Sequence, residues 1–341
     1  MLGAGFSAPL GLPVVKDFFT RAKDLYFTDT ERYRYFREVF QRIDELARVK
    51  NYFTSDLLDI EEVLSILDID GDFGRGVRRS KLSSLIVDVI AGYTPALSAP
   101  QRPAPANWAA GAFGGSRLAS EYGYFVAGIC RFALAKEARK EGAYFICCAE
   151  ADPKCHYDIV TLNYDCALEN IWKHATAHYE IRGAKGFTND PDEKEGRATL
   201  CKLHGSVDTG VVIPPTSRKL IGRKIKPAWD AAFSVLSRAN HLRIFGYSLP
   251  PTDTYVRYLL KAAIARAEHL KSIHVLCLDN AQAEVESRYR DFINFKYFAF
   301  QNENVQQYLR GVFEHAALNQ MGTAHTPGTL EAAHAMFFGH P

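Results

Sequence analysis

The sequence lacks the features that mark several classes of protein. Its 341 residues carry 41 basic and 39 acidic side chains, and the resulting net charge of +2 does not indicate nucleic acid as the main partner. No apolar run approaches the ~20 residues that span a bilayer, and no leader pattern of a basic stretch, an apolar stretch and a cleavage site opens the chain. We therefore expect a cytoplasmic protein with no membrane partner.

Cysteine spacing argues against two further classes. The seven cysteines are odd in number and show no CxxC spacing, so neither a disulfide framework nor a zinc ribbon is predicted. Cys147, Cys148, Cys155 and His156 lie close together in the sequence and could bind a metal. Adjacent cysteines before a strand are more often buried, small apolar residues, and we predict no metal site.

The sequence divides into two regions with different patterns of apolar residues. From about residue 13 to 142, apolar residues recur at helical spacing, as Ile60, Val63 and Leu67 do, which predicts a mainly helical insertion. The stretch 94–116 is rich in proline, alanine and glycine, and it predicts a long loop within this insertion.

From about 150 to 300, short apolar runs alternate with helical patterns such as that of residues 253–269. Five runs are predicted as buried strands: Tyr157–Leu162, Ala198–Leu203, His241–Gly246, Ile273–Leu278 and Phe295–Phe300. This alternation predicts an α/β fold, a doubly wound Rossmann-like parallel sheet. The domain is expected to cover residues 1–316, with 317–341 as a weakly patterned tail that is either loosely docked or dependent on a partner.

The opening stretch "LGAGFSAPLGLP" fits G-x-G-x-x-A at Gly3, Gly5 and Ala8, a turn that can bring backbone N–H groups close to a pyrophosphate. The acidic residue of dehydrogenases, about 20 residues further on, is not identifiable, which disfavours hydride transfer. Met1 and Leu2 alone precede the turn, whereas strands usually have about five residues. We expect either a start further upstream or another segment in the place of this strand.

Small or polar residues follow each predicted strand. In a doubly wound sheet the carboxyl ends of the strands carry the ligand site, so these residues are candidates for one site. They are Asn163, Asp165, His204, Gly246, Ser248, Asp279 and Asn280. Helix capping is an alternative role for Asp165 and Asp253.

Five motifs in order along the chain resemble those of the sirtuin superfamily, and more closely its bacterial sirtuin-like NAD-cleaving branch. They are "GAGFSAPLGLP", "TLNYD", "LHGS", "GYSLPPTD" and "LCLDN". The resemblance implies that NAD is the substrate. By this resemblance, the NAD phosphates and adjoining ribose would contact Gly3, Ala4, Gly5, Phe6 and Ser7. The nicotinamide and its ribose would lie at Asn163 and Asp165, and His204 would be the catalytic histidine. The dinucleotide would also contact Gly246 and Ser248, and the adenosine ribose would lie near Asp279 and Asn280.

The chemistry agrees with this assignment. Cleavage of the nicotinamide glycosidic bond builds positive charge on the ribose, so the site needs a neutral polar group to orient ribose or water and a base suited to neutral pH. The amide of Asn163 can donate and accept hydrogen bonds without introducing charge. Histidine is the side chain that ordinarily titrates nearest neutrality, which makes His204 the predicted base.

One departure from the family pattern matters. Protein-deacylating sirtuins usually carry a zinc module with two CxxC pairs after the catalytic histidine, whereas no cysteine lies between His204 and Gly246. The segment 214–227 is instead basic, which indicates either a solvated surface or a partner contact. No zinc is expected, and the platform for an acyl-lysine peptide is in doubt.

Three functions follow from these observations. The first is an NAD+ glycohydrolase that releases nicotinamide and ADP-ribose, or a cyclic product, as an effector of anti-phage defence. Because a constantly active NADase would kill its host, activity should be gated by homo-oligomerisation, a partner defence protein or a ligand, with the loop at 94–116 and the tail as candidate gates. The second is a protein deacylase or ADP-ribosyltransferase. The third is a non-catalytic NAD-binding scaffold in a defence complex.

Overall fold

The computed structural model describes residues 1–49, 60–73, 77–100, 111–139, 142–149, 155–193, 195–213, 222–318 and 329–339. These residues form a mixed α/β structure built on a parallel sheet with helices on both faces, and they include no helix suited to cross a membrane. The predicted α/β fold is therefore confirmed.

The described helices are α1 (Ala4–Ser7), α2 (Phe18–Thr28), α3 (Phe36–Val49), α4 (Ile60–Asp72), α5 (Arg79–Tyr93), α6 (Arg117–Ile129), α7 (Ala167–His178), α8 (Lys226–Ser237), α9 (Thr254–Ile264), α10 (Glu284–Phe292), α11 (Val305–Leu318) and α12 (Thr329–Phe338). The described strands are β1 (Phe132–Arg139), β2 (Gly142–Ala149), β3 (Ile159–Thr161), β4 (Glu180–Arg182), β5 (Phe187–Thr188), β6 (Ala198–Lys202), β7 (Gly205–Ser206), β8 (Val211–Val212), β9 (His241–Phe245), β10 (Ser272–Leu276) and β11 (Phe298–Gln301).

The central sheet has a two-residue segment at its middle. Its order is β5, β6, β3, the Met1–Leu2 segment, β9, β10 and β11, all parallel, with Leu2 bridging Thr161 of β3 and Phe245 of β9. The chain then continues to β3 and β6 on one side and to β9 through β11 on the other. The order therefore reverses at Met1–Leu2, and the glycine-rich turn follows directly at this switch point.

The five predicted strands are all present, within three residues of their predicted ends. They read as near-continuous apolar runs because both faces are covered; all five residues of β10 are buried, for example. One face packs against α6, α11 and α12 through Phe125, Tyr308 and Leu330, and the other packs against α8, α9 and α10 through Trp229, Val256 and Tyr289.

The structure differs from the sequence prediction in two places. Residues 132–139 were expected to be helical but form β1, which pairs antiparallel with β2 from Phe132↔Ala149 to Arg139↔Gly142. This ladder outweighs the helical preference of a segment rich in alanine, leucine and lysine. The tail was expected to dock loosely, yet α12 packs closely because its spacing places Leu330, Ala333 and His334 on one buried face.

Helices α2 to α5 enclose a hydrophobic core of their own, which includes Phe36, Leu64 and Leu85. Two residues from the sheet side, Tyr164 and Val207, pack against this core. The division of the chain into an insertion, a Rossmann-like core and a tail stays a prediction. Within the predicted loop, residues 101–110 lie outside the described residues.

Candidate functional site

The glycine-rich turn packs directly onto the loop after β9. A Cβ atom on Gly3 would lie 2.6 Å from the carbonyl oxygen of Gly246, and one on Gly5 would lie 2.9 Å from the Gly246 Cα. Gly246 itself has a φ of +62°, in the left-handed region that favours glycine. Three of the predicted site glycines therefore have a packing reason to be glycine, since they let two backbone segments meet without side chains between them.

Asn163 joins the end of β3 to this turn. Its Nδ2 group donates to the carbonyl oxygen of Gly3 at 2.9 Å and to Ser7 Oγ at 2.9 Å. A carbonyl oxygen can only accept, so the Gly3 contact determines which way the amide points. The donor capacity of Asn163 is thus used by the protein, and Oδ1 is left without a hydrogen bond among the described residues.

Asp165 continues the same chain of hydrogen bonds and also serves a helix. Ser7 Oγ donates to Asp165 Oδ2 at 2.7 Å in a buried contact, while the other oxygen, Oδ1, accepts from the backbone N–H of Ala167 at 2.9 Å. The same carboxylate therefore caps a helix and belongs to the hydrogen-bonded group of Asn163 and Ser7, while its site role stays a prediction. It holds the start of α7 and, through Ser7, the position of Asn163.

His204 lies in the turn between β6 and β7 and is 6% exposed. Its carbonyl oxygen accepts from the backbone N–H of Ile213 at 2.9 Å, and the carbonyl oxygen of Leu203 accepts from Trp229 Nε1 at 2.9 Å. The ring of Tyr164 lies beside the imidazole, with 5.8 Å between centroids and 33° between planes. The imidazole thus stands next to the strand end that carries Asn163.

The remaining residues of the turn contribute unequally. Phe6 is 2% exposed and packs against Tyr122 and Phe125, so its side chain belongs to the core. The backbone N–H of Gly5 donates to Gly246 and that of Phe6 donates to Gly3. Ala4 is exposed. Any ligand contact through Phe6 would therefore use its backbone rather than its ring.

Asp279 and Asn280 lie at the carboxyl end of β10, where their side chains accept from the backbone. Asp279 accepts from the N–H groups of Val285 at 2.9 Å and Glu286 at 2.8 Å, and Asn280 accepts from that of Gln282 at 3.1 Å. Asp279 is half-buried and Asn280 is exposed, and both lie outside the hydrogen-bonded network of Asn163. Their described contacts stabilise the turn that starts α10.

A second group of polar residues surrounds Lys202 next to Asp165, and the sequence analysis did not identify it. Lys202 Nζ donates to the backbone carbonyl of Asp165 and to Glu169 Oε1 at 2.9 Å, and it lies 3.7 Å from Cys166 Sγ. Ser206 lies 3.3 Å from the same sulfur. Burial is the main cause that raises the pKa of Cys166, so its thiol stays protonated near neutrality. The neighbouring motifs "TLNYD" and "LHGS" were the signal that could have drawn attention to these positions.

A cavity of about 660 Å³ lies at the opposite edge of the sheet, at the amino ends of β3 and β9. Its lining includes Met1, Tyr157, His241, Arg243 and Glu331. Because ligands of doubly wound folds bind beyond the carboxyl ends of the strands, we assign the candidate site to the edge that carries Asn163 and not to this cavity.

Within the described parts of the chain, no three histidine, cysteine, aspartate or glutamate side chains are grouped so as to hold a metal ion. Cys147 and Cys148, considered above as metal ligands, lie in β2, where the side chains are outside the described residues. Most of the basic segment at 214–227 is also outside them, since the description resumes at residue 222.

Residues 158–317 match the family model of the SIR2-like domain. This region, 160 of the 341 residues, is therefore a SIR2-like domain, and the resemblance to the sirtuin superfamily is confirmed for it. The match includes Asn163, Asp165 and His204, and the structure brings the glycine-rich turn, which lies outside the matched range, into contact with Asn163 and Asp165. No curated protein and no solved structure matches the chain.

Proposed function

We propose that this protein is an NAD+ glycohydrolase that releases nicotinamide and ADP-ribose, or a cyclic form of it. The SIR2-like domain implies an NAD-utilising enzyme. One observation carries the proposal of NAD+ hydrolysis. Hydrogen bonds link the Gly3 carbonyl, Asn163, Ser7 and Asp165 in a chain, and the buried imidazole of His204 lies beside it. It joins a neutral amide, a carboxylate and a candidate base at one sheet edge.

The residues present fit NAD at this edge, because Oδ1 of Asn163 has no hydrogen-bond partner among the described residues. Oδ1 can accept from a ribose hydroxyl or from the attacking water, and its orientation is set before any ligand arrives. Asp165 holds this arrangement through Ser7. Gly246 and Ser248 would contact the dinucleotide, and Asp279 and Asn280 would lie near the adenosine ribose.

His204 would act as the general base. In hydrolysis, water adds to the ribose carbon as the bond to the nicotinamide nitrogen breaks, nicotinamide leaves as a neutral molecule and one proton is released. His204 would take that proton, and its burial limits the access of other water to the base. Bound NAD supplies the bond that breaks, so no further cofactor and no zinc is required.

The proposed role is that of a gated, cytoplasmic effector of bacterial anti-phage defence. Loss of cellular NAD stops metabolism, so such an enzyme must be silent until a signal arrives. Homo-oligomerisation or a partner defence protein would supply the gate. The helical region of α2 to α5 is a candidate part of it, because its core packs against Tyr164, the neighbour of Asn163.

The test is incubation of the purified protein with NAD, with and without an acyl-lysine peptide, followed by mass-resolved products and the molecular mass in solution. We expect nicotinamide release without the peptide, and a loss of about 100-fold or more in Asn163→Ala and His204→Ala. Release that requires the peptide would instead favour a deacylase or ADP-ribosyltransferase. Binding of NAD by calorimetry with no turnover in any oligomeric state would favour the non-catalytic scaffold.

A further inference from the structure

Tyr164 is fastened at two points to the turn that carries His204. Its backbone carbonyl accepts from the N–H of Val207 at 3.0 Å, and its hydroxyl donates to the carbonyl oxygen of Ile213 at 2.7 Å. The N–H of the same Ile213 donates to the carbonyl of His204. Tyr164 and His204 therefore share one anchor, and the distance between them cannot change freely.

The ring of Tyr164 lies beside the imidazole, at 5.8 Å between centroids and a tilt of 33°. The Tyr164 side chain also packs against the hydrophobic core of α2 to α5. A ring that is packed on this core and tied at its hydroxyl has little freedom to change rotamer, so it limits the space in which the neighbouring imidazole can rotate.

The hydroxyl of Tyr164 acts as a permanent donor. Burial is the main cause that raises its pKa well above the ordinary value, and the negative charges of Glu61 and Asp253 raise it further. The proton therefore remains on the oxygen across the pH range in which a histidine base works, and the bond to Ile213 persists when His204 changes its charge.

We propose that Tyr164 is a positioning residue for His204: it holds the imidazole in the orientation that general-base chemistry needs, without touching the substrate. This inference rests on the proposed role of His204. It adds a residue between Asn163 and Asp165 whose contribution lies in the turnover step rather than in NAD binding.

Two variants separate the parts of this role. Tyr164→Phe removes the hydroxyl but keeps the ring, and we expect about a 2- to 10-fold lower kcat for the loss of one hydrogen bond. Tyr164→Leu also removes the ring, and we expect about a 10- to 100-fold lower kcat because a misplaced group is costly. KM should stay within about twofold in both variants. Tyr157→Phe, which removes a hydroxyl bonded to Glu331 at the amino edge of the sheet, is the matched control and should leave kcat unchanged.

A second measurement does not depend on turnover. The imidazole Cε1–H signal of His204, assigned by its loss in His204→Ala, should shift in Tyr164→Leu because the aromatic neighbour is gone, and its titration midpoint should change. If the wild-type protein releases no nicotinamide, the proposed function fails while this signal still decides the positioning role. An unchanged signal and midpoint in Tyr164→Leu, or a loss confined to KM or to the melting temperature, would overturn the proposal. If Tyr164→Leu does not fold, Tyr164→Phe decides it by kinetics: a lower kcat at constant KM supports the proposal, and an unchanged kcat overturns it.

Discussion

Polar side chains have different roles at the two edges of the central sheet. At the carboxyl edge, short side chains such as Asn163, Ser7 and Asp165 are linked to each other and to backbone within about 3 Å of one another. At the amino edge, the long side chains of Arg243 and Glu331 pair beside a cavity of about 660 Å³. The first arrangement fixes the orientation of the Asn163 amide, whereas the second attaches α12 to the sheet.

The histidines show the same contrast. His204 at the carboxyl edge stands in a turn beside an aromatic ring, while His274 in β10 lies with its Nδ1 2.7 Å from Nε2 of His334 in α12. Phe338 stacks on both of these rings, at 4.6 and 4.7 Å between centroids. Buried histidines of the second kind stabilise packing, which teaches that burial of an imidazole alone does not indicate catalysis.

The largest effect should come from breaking the carboxyl-edge network at Asp165. Asp165→Asn replaces one acceptor oxygen by a donor, so either the Ser7 or the Ala167 contact is lost. We expect the free energy of unfolding to fall by ~1–3 kcal/mol and nicotinamide release to fall about 10- to 100-fold. Urea unfolding and product chromatography measure the two.

Asp279→Asn is the comparison at the same edge. It weakens a cap of α10 and a proposed ribose contact, so KM should rise by about 2- to 10-fold with kcat unchanged. Equal losses of kcat in the two variants would contradict the distinction between the Asn163 network and the α10 turn.

An intermediate effect is expected at the amino edge. Arg243 Nη2 lies 2.5 Å from Glu331 Oε2, and Tyr157 donates to the same carboxylate at 2.6 Å. Arg243→Met should lower the free energy of unfolding by ~1–2 kcal/mol, since the Glu331 side chain remains 39% exposed and solvent screens the pair. Turnover of NAD should not change. Arg238→Met, at an exposed pair with Asp192, should cost no more than about 0.5 kcal/mol, and an equal loss in both would show that burial of Arg243 adds nothing.

A dependence of stability on pH comes last, because it is absent near neutral pH and appears only as the pH falls. Burial lowers the pKa of both His274 and His334, and the positive charge of Arg243 lowers each of them further. The pKa of His334 falls to about 2. Both rings are therefore neutral in the folded protein, whereas in the unfolded chain they take up protons below about pH 6.5. Stability should be complete above pH 6.5 and fall as the pH drops, by up to ~1.4 kcal/mol per unit for each histidine.

His334→Gln removes one of these titrations and keeps a donor toward His274, so the slope below pH 6.5 should decrease. Urea unfolding at pH 7, 6 and 5 measures the slope, and His269→Gln at an exposed position is the matched control. An unchanged slope in His334→Gln would mean that the His274–His334 pair does not set the acid sensitivity of the amino edge.

Local pattern was sufficient for much of the fold. The five sheet strands follow from short runs of apolar residues, and the order of the motifs predicted the SIR2-like domain that the family match confirms. Local pattern failed where distant partners decided the outcome. Residues 132–139 have a helical composition, and only pairing with β2 makes them a strand. The closely packed face of α12 was missed because apolar residues occur on several sides of this short helix, so the sequence marks no single face.

By itself, the sequence determined which residues end the strands, that glycines open the chain's first turn, and that no cysteine follows His204 before Gly246. Only the tertiary structure decided how these residues are used. It places the Phe6 ring in the hydrophobic core, links Asn163 to Asp165 through hydrogen bonds to Ser7, and places the Tyr164 ring beside the His204 imidazole. The physical reason is sequence separation: strand ends and turns follow from neighbours in the chain, whereas Ser7 and Asp165, 158 positions apart, meet only when the sheet has formed.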